Sequence, residues 1–301
     1  MEENKLEEKK RDYLIPVSIL LSAIIIAVGL IYRAGISATP SQDTKGAISQ
    51  SGGKSPTSPA SSESELPVRW GDLGARLVKA GVIDEEKFSA LYAGRGGLSP
   101  ELKKLLESKD NGNVVINKEN AGSWLNLLWA LGLGNKNVVL ENGPMTDPRY
   151  GGAGNFASTG GWTLAVGNAM DHYSMHEFMN LTPEQQALVD KVTQNIYRPC
   201  CNNSTYFPDC NHGMAMLGLM ELAASQGANE ATLYNIALTV NSFWFPDTYQ
   251  NIGKFLSQKG IDPASVPAQD ILSAQYSSGS GYQVIVAALK PTQNKGSSCG
   301  V

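Results

Sequence analysis

The chain has 301 residues, with 24 lysines and arginines against 28 aspartates and glutamates and a formal net charge of −4. That balance, with no basic stripe interleaved with aromatics, argues against nucleic-acid binding. The length leaves room for one good core or two small ones, and no internal repeat divides it.

The N-terminus, residues 1–13, is charged, and residues 14–32 form the uncharged run LIPVSILLSAIIIAVGLIY. A bilayer-spanning helix needs about 20 apolar residues, whereas the apolar core of a cleaved signal is about 7–15. The run is therefore expected to be a single transmembrane helix, with Pro16 in its first turn, where a missing N–H costs little. Lys5, Lys9, Lys10 and Arg11 precede it and Arg33 alone closely follows. That bias places residues 1–13 in the cytoplasm and the C-terminal domain outside it, in a compartment that is oxidising in most cells. The membrane, through residues 14–32, is the one partner this segment specifies. Residues 33–65 are rich in Ser, Gly, Pro and Thr and nearly free of apolar groups. They are expected to be a disordered linker with an r.m.s. reach of roughly 30 Å.

The remainder is predicted to be a mainly α extracytoplasmic domain with little strand: a small helical subdomain over 66–110, a main helical domain over 111–291 and a flexible tail over 292–301. Leu73, Leu77 and Val78 share a helical face ahead of Gly81. Asp84 caps a second helix that buries Phe88 and Leu91. Ser99-Pro100 pairs a cap with a proline at the first helical position. Val114–Ile116 reads as a weak strand. Trp124 to Leu131 is apolar nearly all round and should be buried, ending at Gly132 and Gly134. Gly143 to Gly161 is glycine-rich but lacks a phosphate-binding Gly-Lys-Ser/Thr signature and reads as a loop. Trp162 to Met179 is expected to be a helix, followed by a capping box at Thr182-Pro183-Glu184-Gln185 and a helix ending before Pro199. Further helices open near Asn211, Asn229 and Asp247. Tyr282–Leu289 is predicted as a short strand or a last buried turn.

Six of the seven cysteines and histidines fall between His172 and His212, with only Cys299 apart. Thiolates and imidazoles bind soft transition metals, and thiols also run disulfide chemistry. His172 and His176, four apart on the expected helix, would share a face, and the run DHYSMHEFM adds the thioethers of Met175 and Met179, a set that suits copper. It is not H-E-x-x-H, so no zinc protease is implied. Cys200, Cys201, Cys210 and His212 lie within 13 residues, on either side of a polar loop bounded by prolines. Cys210 lies just ahead of a helix start, which favours a thiolate. Four such donors suit a tetrahedral Cys₃His site. A disulfide from Cys200 or Cys201 to Cys210, or a redox couple of Cys201 and Cys210, fits the same spacing. Asn180, Asn202 and Asn203 sit in N-x-S/T sequons and read as polar loop residues. No nucleophile–base–orienter spacing suggests hydrolysis.

The helix over 181–197 ending at Pro199-Cys200, the polar loop, the helix closing at Gly227 and the capped helix ending at Phe243-Trp244-Phe245-Pro246 together resemble the periplasmic domain of the CcmH/NrfF group of cytochrome c maturation proteins. The likeness covers residues 181–250. It implies a membrane-anchored three-helix domain whose cysteine pair exchanges disulfides with apocytochrome. The family motif is Cys-x-x-Cys, whereas Cys200 and Cys201 are adjacent, and Cys210 and His212 have no counterpart in it. The family's anchor follows its domain; here it precedes it.

The functional expectation is a metal-binding protein for copper or zinc, with Cys200, Cys201, Cys210 and His212 as first donors and His172 and His176 next. It would handle the metal or use it to support a binding surface, without a catalytic residue. A thiol–disulfide protein of cytochrome maturation is the alternative, and a disulfide-stapled envelope protein with a protein partner is the third reading.

Overall fold

A computed structural model describes residues 62–289. The expected membrane helix at 14–32, the cytoplasmic N-terminus, the linker as far as residue 61, the tail over 292–301 and Cys299 lie outside the described residues. Among the described residues no helix is long and apolar enough to cross a membrane.

The described part is mainly helical, with one two-stranded antiparallel sheet. Strand β1 (Glu63–Arg69) begins inside the stretch read as linker, which corrects that boundary. It pairs with β2 (Asn113–Asn117), with Glu63 opposite Asn117 and Glu65 opposite Val115 and an irregularity before Arg69. Leu66 and Val68 point inward on alternate positions; the polar residues before them masked the strand in the sequence.

Helices α1 (Leu73–Lys79), α2 (Glu85–Ala93) and α3 (Pro100–Glu107) follow β1. Their punctuation is as the sequence predicts: Asp84 accepts from the backbone N–H of Glu86 and Lys87, and Ser99 from that of Leu102. Leu91 is exposed, against the expectation that it is buried. Trp70 and Trp124 meet edge to face at 5.3 Å. Their ring N–H groups bond to the carbonyls of Leu105 and Val115.

Helix α4 (Ala121–Gly134) runs past Gly132 and ends at Gly134, the second of the two glycines expected to stop it, and a short α5 (Val138–Asn142) follows. Residues 143–182 are irregular, apart from isolated 3-10 turns. The helix predicted over Trp162–Met179 is absent. Gly167 and Asn168, inside that segment, are poor helix formers. The segment's later N–H groups bond elsewhere: Ser174 to the Leu133 carbonyl and His176 to that of Gly134. It therefore lies along the end of α4.

Helix α6 (Pro183–Thr193) opens with the predicted Thr182/Gln185 capping box. Then come α7 (Asn211–Ser225), α8 (Glu230–Trp244), α9 (Pro246–Gln258), the short α10 (Ala268–Ile271) and α11 (Ala274–Ser277), and α12 (Gly279–Leu289). The last is a helix where a strand or turn was expected; it packs on α9 and α11. Helix α7 is central, buried without interruption from Gly213 to Ala224. It crosses α4 at glycines: a Cβ on Gly132 would lie 2.1 Å from the Met214 carbonyl oxygen, and one on Gly218 would lie 2.6 Å from the Gly132 nitrogen. Only glycine permits that approach.

Candidate metal centre

The loop between α6 and α7 closes on itself. The N–H of Thr205 bonds to the Ile196 carbonyl at 2.8 Å, that of Tyr206 to the Thr193 carbonyl at 3.0 Å, and Tyr197 bridges Ser204. Both ends of the loop then meet at the start of α7. The ligand atoms of Cys200, Cys201 and Cys210 all lie within 4.8 Å of one another, and the Cys200 and Cys210 sulfurs are 3.7 Å apart. Cys210 occupies the N-cap of α7, where the helix dipole and free N–H groups favour a negative sulfur. Cys200 is exposed and the other two thiols are half-buried, so the group has one open side.

Arg198 organises the loop from beneath. Its guanidinium donates through Nε to Cys210 Sγ at 3.0 Å, through Nη1 to the Asn203 carbonyl at 3.0 Å, and through Nη2 to the Phe207 carbonyl at 3.1 Å and Asp209 Oδ1 at 2.6 Å. The planar fork suits this convergence. The group fits because Gly213 lies against it: a Cβ there would come 2.5 Å from Nη2. Asp209 also accepts from the Asn203 amide at 2.9 Å. Neither Arg198 nor Gly213 stood out in the sequence. A single arginine before a proline carries no pattern, and Gly213 reads as an ordinary helical residue.

The three thiols shift in different directions. Hydrogen bonds from Cys200, then Cys201 and His212, together with the Arg198 charge, hold Cys210 far below the usual thiol range. The same sharing with Cys201 and Cys210, reinforced by burial, pushes Cys200 up. Cys201 also moves up: its bond with Cys200 lowers it, but competition with Cys210 and burial outweigh that. Of the three, Cys210 is the one its surroundings favour as a thiolate.

The other expected ligands divide. His212 packs against Trp244 at 5.6 Å and Phe245 at 4.6 Å, and its ring nitrogens lie outside the group of three sulfurs. His172 and His176 do not lie on a helix, yet their rings stack at 5.3 Å with Nδ1 of His172 3.1 Å from Nε2 of His176. Burial, followed by the neighbouring His172, keeps His176 below the ordinary imidazole range. This pair forms no common group with the cysteines. A cleft of about 700 Å³ beside Tyr92, Glu101, Asn120 and Trp124 contains no thiol or imidazole.

What the trio can do follows from its donors. Two thiolates at about 2.3 Å from a tetrahedral zinc are separated by about 3.8 Å, close to the 3.7 Å between Cys200 and Cys210. Three sulfurs also satisfy monovalent copper. No family model, curated protein or solved structure matches the chain, so the reading of this centre rests on its own chemistry.

Proposed function

We propose that the protein binds one thiophilic metal ion, zinc or monovalent copper, through Cys200, Cys201 and Cys210, and handles it at an extracytoplasmic membrane surface. The carrying observation is the convergence of three sulfurs within 4.8 Å. The exposure of Cys200 supports exchange of the ion over a purely structural role, because a structural site is closed and an exchanging one keeps an open position. The uncharged run at 14–32 and the basic residues ahead of it support the location. His212, in the first turn of α7, stands outside this ligand set. Elemental analysis of the full chain, purified in detergent with reductant, tests the reading. Stoichiometric zinc or copper, lost in Cys210→Ser, is the expected result; metal-free protein with all three thiols titratable would overturn it.

A thiol–disulfide role, like that of the cytochrome c maturation proteins, is the second reading. The 3.7 Å contact between the Cys200 and Cys210 sulfurs, with Cys210 held below the usual thiol range, favours it. It requires that metal-free protein in a glutathione redox buffer form a reversible Cys200–Cys210 disulfide, with Cys201 left free.

A further inference from the structure

We infer that His172 and His176 form a second metal site, an imidazole pair for a borderline divalent ion such as copper(II) or zinc(II), separate from the thiol centre. The argument begins with the backbone. Ser174, midway between the two histidines, has φ 56° and is the one non-glycine residue at positive φ among the described residues. A left-handed serine is strained and persists where its surroundings over-determine it. Here its N–H bonds to the Leu133 carbonyl at 2.9 Å and its hydroxyl accepts from the Asn137 N–H at 3.0 Å. The turn folds the two rings onto each other, 27° from parallel.

The tautomer of His172 is then fixed. Its Nε2 lies 2.8 Å from the Val166 carbonyl, which can only accept, so Nε2 carries the proton and Nδ1 of the neutral ring presents a lone pair. Gly81 helps keep that ring in place, since a Cβ there would sit 3.2 Å from His172 Cε1. A histidine whose second nitrogen donates to a carbonyl is the arrangement found behind metal-ligating imidazoles. The free Nδ1 faces His176 Nε2 at 3.1 Å. With metal–nitrogen bonds of about 2.0–2.1 Å, that separation gives an N–M–N angle of about 100°, which suits two adjacent positions on a tetrahedral or tetragonal ion. On binding, His176 carries its proton on Nδ1 in place of Nε2, so that His172 Nδ1 and His176 Nε2 both offer lone pairs from neutral rings. Imidazole donors select copper, zinc and nickel over hard cations. Two positions stay open for water or a further donor, since His176 is only half-buried.

The test uses the full chain with its thiols alkylated, so that copper(II) is neither reduced nor captured at the thiol centre. One copper(II) equivalent is added and read by electron paramagnetic resonance. Expected is a single species with superhyperfine structure from two nitrogens, lost in His176→Gln; glutamine can still donate to His172 Nδ1 and preserve the local fold. An unchanged spectrum in that variant would overturn the site. In the unmodified chain, zinc(II) should protect both histidines from carbethoxylation by at least tenfold, and equal reactivity with and without zinc would also overturn it. Because the thiols are blocked in the first measurement, failure here leaves the thiol reading standing, and the converse holds too.

Discussion

Replacing Arg198 by methionine asks whether one buried cation holds the thiol loop together. Its side chain is 2% exposed and that of its ion-pair partner Asp209 is 21% exposed. The substitution leaves Asp209 and Cys210 without their cation and removes the donors that satisfy the carbonyls of Asn203 and Phe207. Removing one member of a buried pair costs about 3–5 kcal/mol. In a domain of about 150–250 residues each kcal/mol lowers melting by about 2–4 °C, so a fall of roughly 6–20 °C is expected by calorimetry on reduced, metal-free protein. Cys210 should also lose thiolate character, and its alkylation by iodoacetamide at pH 7, followed by peptide mass spectrometry, should slow. Adding Asp209→Asn should return part of the lost stability, because the stranded carboxylate is gone. A melting temperature within about 2 °C of the parent, together with unchanged alkylation of Cys210, would refute this account of the loop.

Gly213→Ala drives a methyl into the Arg198 guanidinium, whose Nη2 would lie 2.5 Å away. Calorimetry should show a loss of about 1–3 kcal/mol, and the loss should shrink when Arg198→Met is already present, since the two residues are in contact. Glu221 is fully buried on α7. It accepts from the Asn135 amide at 2.6 Å, while its other oxygen has no hydrogen-bond partner. Burial, then nearby Asp190, raises its pKa well above the carboxylate range, so the folded protein holds a proton that the unfolded chain releases. The stability this proton gives is full below the unfolded pKa of about 4.3 and declines as pH rises toward the folded value, by about 1.4 kcal/mol per pH unit. Glu221→Gln should therefore melt higher than the parent at pH 7, with the gap closing near pH 4; a gap independent of pH would reject the assignment. At the α4–α7 crossing, Gly218→Ala puts a carbon 2.6 Å from the Gly132 nitrogen. Denaturant titration should show a loss at or above about 3 kcal/mol, because backbone, unlike a side chain, cannot step aside.

Most helices announced themselves through their ends. Ser99-Pro100, Thr182 with Gln185, and Asn229 each satisfy first-turn N–H groups in the way their sequence implies, because capping is local chemistry. What failed was decided at a distance. The spacing of Leu164, Ala165, Ala169 and Met170 resembles a helix, but the backbone that follows is claimed by the carbonyls at the end of α4. Tyr282–Leu289 has β-branched residues suited to a strand, yet among the described residues the only sheet is the β1–β2 pair, and the segment forms a helix against α9 and α11. The thiols were legible because a short prolyl loop leaves them few places to go. Arg198 was not, since its burial depends on the missing side chain of Gly213 in a different element.

The loop that carries the sulfurs is also fastened from the far end of the chain. The Cys201 carbonyl accepts from the N–H of Gly279 at 2.7 Å, and the Asn202 side chain from that of Ser280 at 2.7 Å, at the opening of α12. Cys201 and Asn202 thus borrow two amide donors that no residue of their own hairpin supplies. Proteolytic clipping ahead of Ser278 would leave Cys200, Cys201 and Cys210 in place and still slacken the cradle that aims them, so α12 governs how firmly the three sulfurs are held without contributing one.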